Sequence, residues 1–187
     1  MMQPTMLFER IGKVSLYLLV FLIPLWFLPV TQDALVYQKQ ALLVVMVFLS
    51  LLTWLGRAVQ QGELSLRVTR LYIPIALAVA VVGLSTVVSL WRYGSFWGWP
   101  LDVTDSFLTV TFFALLSVVI INSIQQGAQL FKLLFLLLIS GSIAGLFALL
   151  QLYNVFLIPF SFAKAATFNT VGAANSVAIL AAVLLPL

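Results

Sequence analysis

Leu133-Leu134-Phe135-Leu136-Leu137-Leu138-Ile139-Ser140-Gly141-Ser142-Ile143-Ala144-Gly145-Leu146-Phe147-Ala148-Leu149-Leu150 contains no charged side chain, and none appears anywhere between Lys132 and Lys164. A helix needs about 20 mostly apolar residues, rising about 1.5 Å each, to cross the hydrocarbon core of a bilayer. This run is long enough. Five further uncharged stretches share its character: Val14–Gln32, Gln40–Gly56, Leu71–Trp91, Ser106–Phe131 and Ala165–Leu187. Gln40–Gly56 is the shortest, and Lys39 and Arg57 at its ends can extend their charged heads to the two interfaces. The 187 residues are 64% hydrophobic and carry nine basic and five acidic side chains. A soluble domain has roughly a quarter of its residues charged, so lipid is the solvent this composition suits.

The pattern predicts an all-α integral membrane protein, a single transmembrane domain over residues 1–187 built as a bundle of about six spanning helices. Those helices are expected at about Val14–Val30 with a kink at Pro24, then Ala41–Val59, Leu71–Trp91, Ser106–Ile124, Leu130–Tyr153, and a sixth from near Ala173. The first is too long for a signal sequence and lacks a small-residue cleavage site before Asp33. Basic residues favour the cytoplasmic face. A cytoplasmic N-terminus places Arg10, Lys13, Arg57, Arg67, Arg70 and Lys132 inside and Lys39, Arg92 and Lys164 outside, the better of the two orientations. The apolar residues Ala178–Leu187 carry no flanking charge, which predicts that the natural chain continues beyond or just after the sixth helix.

Cysteine and histidine are both absent. Thiol nucleophiles, disulfides, Cys/His zinc sites and histidine bases are thereby excluded within these residues. The net charge of +4 comes without the basic, aromatic-interleaved patch that nucleic acid requires. Charges at membrane depth would signal ion coupling or a proton relay. All fourteen sit at or near expected interfaces, which weakens a transporter reading.

Three residues stand out for binding. Arg92, in the loop Trp91-Arg92-Tyr93-Gly94-Ser95-Phe96-Trp97-Gly98-Trp99-Pro100, has the forked guanidinium that grips a phosphate; equally, it suits an interfacial aromatic belt with a snorkelling arginine. Asn169 and Asn175 flank Gly172 where the sixth helix opens. A helix N-terminus offers free N–H groups to an anion such as diphosphate, and the asparagines could orient sugar hydroxyls or simply cap the helix. The Gly141-Ser142-Ile143-Ala144-Gly145 spacing reads as helix packing. Asp102 and Asp105 form a possible acid/base pair, or a solvated loop leading into a helix. Neither a metal nor a cofactor is suggested, and no catalytic residue emerges.

Several of these patterns, in this order, resemble the N-terminal half of the O-antigen ligase/polymerase superfamily. They are Phe21-Leu22-Ile23-Pro24-Leu25 through Gln38-Lys39-Gln40-Ala41-Leu42-Leu43; Ser95-Phe96-Trp97-Gly98 leading into Val103-Thr104-Asp105-Ser106-Phe107-Leu108-Thr109; and Thr167-Phe168-Asn169-Thr170-Val171-Gly172-Ala173-Ala174-Asn175-Ser176 before an apolar helix. The resemblance implies a bacterial inner-membrane protein of about a dozen helices. Such proteins transfer glycans from undecaprenyl diphosphate to an acceptor on the outer face. It further implies that the decisive arginines and a histidine lie in later outer loops, beyond Leu187, so that this stretch alone would be inactive. Arg92, Asn169 and Asn175 are left as candidates for the substrate-binding surface. Transporter subunit and non-catalytic membrane scaffold stand as the alternatives.

Overall fold

The computed structural model describes residues 4–27, 36–63, 66–98, 103–158, 161–164, 168–172 and 174–186. Among them every regular element is helical: α1 (Pro4–Leu22), α2 (Val36–Gln61), α3 (Tyr72–Val88), α4 (Arg92–Trp97), α5 (Phe107–Ser123), α6 (Gly127–Leu152), a short 3-10 turn (Ser161–Lys164) and α7 (Ala174–Leu184). The loop around Asp33 and the residues Trp99, Pro100, Asp102 and Ala173 lie outside the described set.

Two helices, α2 and α6, are long and apolar enough to cross a membrane. The core helix of a soluble protein meets the same test, but it is mostly buried. Here only 28% of α2's most apolar stretch and 22% of α6's is buried inside the molecule. On α2 the stripe Leu43, Val47 and Ser50 turns inward while Val45, Phe48 and Leu52 are exposed. A water-facing helix puts polar residues on that outer stripe; this one is apolar on both sides. The seventeen-residue α3 and α5 and the eleven-residue α7 are apolar but shorter. The expected six long spans therefore appear as two long helices and three shorter apolar ones, besides α1.

The differences at helix ends have local causes. α1 starts ten residues before Val14, because Glu9 and Lys13 sit one helical turn apart and pair at 2.5 Å. It stops at Leu22 rather than kinking at Pro24. Proline supplies no N–H and disfavours helical geometry in the residue before it, and the chain closes into a turn with Leu25 N–H donating to the Leu22 carbonyl. α6 ends with Asn154 in the left-handed region at φ 59°. Val155 N–H reaches the Leu150 carbonyl at 2.9 Å and Asn154 N–H that of Gln151 at 3.0 Å, the double closure of a Schellman motif.

The chain divides into two compact units: residues 1–16 with 40–127, and residues 17–39 with 128–187. In the first unit, a side chain at Gly12 would meet Thr53 Oγ1 at 2.7 Å, and Gly56 faces the Phe8 ring, so α1 lies close on α2. α3, α4 and α5 pack together, with Gly83 against Phe107 and the Phe96 and Phe107 rings 5.7 Å apart. The buried Asn122 amide donates to Tyr72 Oη at 2.9 Å and accepts from Arg67 N–H at 3.0 Å, fixing the approach to α3. In the second unit, Ser140 Oγ donates to the Phe21 carbonyl, Lys132 lies over the Tyr17 ring, and Gly141 lets α7 approach α6 until a Cβ there would strike Leu184.

Glu9 also receives Arg57 at 3.6 Å. The Lys13 hydrogen bond, with both cations' attraction added against some burial, holds its carboxyl below the usual value of about 4.5. A depressed carboxylate stabilises the fold fully above its unfolded value, and the contribution fades as pH falls through the lower folded value. The side chain is 39% exposed, so water screens most of it. Thermal unfolding in detergent should show Glu9→Gln slightly less stable than wild type at pH 7. The two curves should converge as pH falls below the ordinary carboxylate range, and a gap that widened on acidification would contradict the pairing.

Candidate functional site

Among the buried polar side chains of the described residues, two groups stand out, one in each unit. Buried polar groups are normally hydrogen-bonded, so what each group leaves unbonded is informative.

The group in the first unit is satisfied. Gln40, buried, donates from Nε2 to Thr109 Oγ1 at 2.9 Å, to Ser106 Oγ at 3.2 Å and to the Trp97 carbonyl at 3.4 Å. Ser106 and Thr109 each donate to the Val103 carbonyl, at 2.9 and 2.7 Å. Ser106 also caps α5, accepting from Thr109 N–H at 3.2 Å. This network secures both ends of the segment between α4 and α5. Arg92 opens α4 and is exposed, flanked by the exposed rings of Trp91, Tyr93 and Trp97, and makes no ion pair among the described residues. Gly98 ends the helix at φ 85°. Asp105 is exposed in the turn before Ser106.

The group in the second unit is not satisfied. Lys39, in the first turn of α2, donates from Nζ to the carbonyls of Thr170 and Val171 at 2.5 and 2.9 Å. No carboxylate pairs with it among the described residues. A cation near a helix N-terminus is disfavoured by the dipole, and the two carbonyls compensate in part. Asn169 is 2% exposed; its Oδ1 accepts from Gly172 N–H at 2.8 Å, closing a tight turn in which Gly172 takes φ 144°. Thr170 is 5% exposed and Gln151 fully buried, and among the described residues neither Thr170 Oγ1 nor Gln151 Nε2 and Oε1 finds a hydrogen-bond partner.

These residues belong to one end of the unit. The Phe168 ring stands edge-on to Phe147 of α6 at 6.3 Å and to Phe27 at 6.5 Å. Gln151 lies four residues beyond Phe147, on the same face of α6. α7 begins close after Phe168 and comes back so that Leu184 meets Gly141, which makes it antiparallel to α6. Ten residues up α6 from Gly141 is Gln151, and ten back along α7 from Leu184 is Ala174. At about 1.5 Å per residue the two stand level.

Of the three residues the sequence singles out, Asn169 and Asn175 fall in the second unit and Arg92 in the first. Asn169 is turned inward to brace its loop; Asn175 is exposed on α7's first turn. Lys39, Gln151 and Thr170 escape sequence reasoning that searches for charges at membrane depth. An amide within Leu149-Leu150-Gln151-Leu152 is the signal that finds the second of them. Comparison with protein-family models, with curated proteins and with solved structures finds no match to this chain.

Proposed function

We propose that this chain is part of a multi-pass bacterial inner-membrane glycosyltransferase of the O-antigen ligase/polymerase type. It would transfer a glycan from undecaprenyl diphosphate to an acceptor on the outer face. The reading is supported above all by the second unit, where the Lys39 side chain reaches the Thr170 and Val171 carbonyls in the turn before α7. The resemblance in motif order and the predominance of positive charge at the expected cytoplasmic segments favour the same reading. In the reaction, the acceptor hydroxyl oxygen forms a bond to the anomeric carbon and gives its proton to a base. The bond from that carbon to the diphosphate oxygen breaks, and the lipid diphosphate leaves with the electron pair. Cations stabilise the charge that gathers on it.

Cells deleted for the gene should lose the mature glycoconjugate and accumulate its lipid-linked precursor, both visible by gel and by mass spectrometry of lipid extracts. Complementation with the intact gene should restore them. Unchanged glycan in the deleted cells would reject the proposal, as would substrate flux through the purified protein in liposomes.

A further inference from the structure

We infer that Lys39 is a clasp: by holding the turn at residues 168–172 it keeps α7 closed on α6. Without that hold α7 swings outward about its contact with Gly141 and widens the groove between the two helices.

The clasp joins parts of one unit that lie 131 and 132 positions apart in sequence. Lys39 Nζ donates to two successive carbonyls, those of Thr170 and Val171, and a bond from a charged donor is roughly twice as strong as a neutral one. The turn it holds is itself closed, because Asn169 Oδ1 accepts from Gly172 N–H across it at 2.8 Å. Gly172 takes φ 144° there, a conformation open to glycine and to few other residues. At the start of the turn the Phe168 ring meets Phe27 and Phe147 edge-on. α7, by contrast, owes little to burial. No residue from Asn175 to Leu184 is fully buried, and Ile179 and Val183 are 66% and 55% exposed, whereas α6 buries five of its residues. α7 meets α6 closely at its far end, where a Cβ on Gly141 would strike Leu184. Between that contact and the turn lies an apolar groove of about 350 Å³, lined by Gly145, Val177 and Leu180 among others, and a Cβ at Gly145 would meet nothing within 4 Å. The helix is therefore held at its two ends across a gap, by apolar contact at one and through the turn by Lys39 at the other. Removing one support turns a rigid helix about the other, and an element with few buried contacts opens locally at low cost.

The test is residue-by-residue amide hydrogen exchange on the purified chain in detergent micelles, joined to a spin-label distance between α6 and α7. The chain has no cysteine, so Leu149→Cys with Ala178→Cys, both at exposed positions, takes two labels and no more. In Lys39→Met the amides of Gly172 and of residues 178–182 in α7 should exchange about tenfold or more faster, the effect of losing a hydrogen bond to a charged group. Those of residues 133–140 in α6 should keep their wild-type rates. The label distance should lengthen and broaden. Lys39→Arg, which keeps a charged donor, should stay near wild type in both measurements. Gly172→Ala disturbs the turn without altering Lys39; it should reproduce the Lys39→Met pattern, and it serves if Lys39→Met does not fold. Wild-type exchange and distance in both Lys39→Met and Gly172→Ala would overturn the inference. So would acceleration spread evenly over α6 and α7, because α7 would then not move as a separate piece.

Discussion

Gly141→Val should destabilise the second unit by about 2 kcal/mol, the usual cost of forcing extra methyls into a tight contact, whereas Gly145→Ala should be neutral or slightly stabilising. The two glycines share one sequence motif but not one environment. A Cβ at Gly141 collides with the Leu184 side chain and approaches that of Leu180; at Gly145 it enters open space. The atoms met are the Leu184 and Leu180 side chains, so valine at 141 pushes them off α6 and loosens the packing of α7 against it. At Gly145, alanine meets no obstacle and is the better helix former by up to about 1 kcal/mol. Equilibrium unfolding in mixed micelles, followed by circular dichroism, separates the two. Equal sensitivity at both glycines would refute the asymmetry.

Ser106→Ala should cost the first unit about 2 kcal/mol, and Gln40→Leu about 1–2 kcal/mol. Serine loses more because its hydroxyl acts three times: it caps Thr109 N–H, accepts from Gln40 and donates to the Val103 carbonyl. Helix capping alone is worth about 1 kcal/mol. After Gln40→Leu the Ser106 and Thr109 hydroxyls still reach Val103, so the damage is limited to the unpaired Trp97 carbonyl and the lost amide bonds. Because the residues share one network, the double variant should fall short of the summed losses by about 0.5 kcal/mol or more. Strict additivity in a double-mutant cycle would mean that Gln40 acts independently of Ser106.

Much of the fold could be read from where charges are missing. The uncharged segments between Arg70 and Arg92, and between Asp105 and Lys132, hold helices whose ends fall within a few residues of expectation. α4 was not legible, since six residues give little periodicity and Arg-Tyr-Gly-Ser-Phe-Trp reads as an interfacial loop. Its helical form depends on Phe96 meeting Phe107 and on Gly98 turning left-handed. The early start of α1 depends on the pairing of Glu9 with Lys13. In the second unit the asparagine and glycine turn before α7 was visible, because those residue types punctuate chains. The Lys39 contact was not. It joins residues 131 positions apart, and a lysine at the edge of an apolar run looks the same whether it anchors to lipid or reaches back into the protein. Gln151 passed unnoticed because an uncharged amide leaves a hydropathy pattern almost untouched.

Asn154 gives the end of α6 a mechanical character. With its backbone in the left-handed basin and two hydrogen bonds gripping Leu150 and Gln151, the last turn behaves as a latched elbow and not a fraying tip. The outgoing chain therefore leaves α6 in one fixed direction, and Gln151 sits in a turn held shut from both sides.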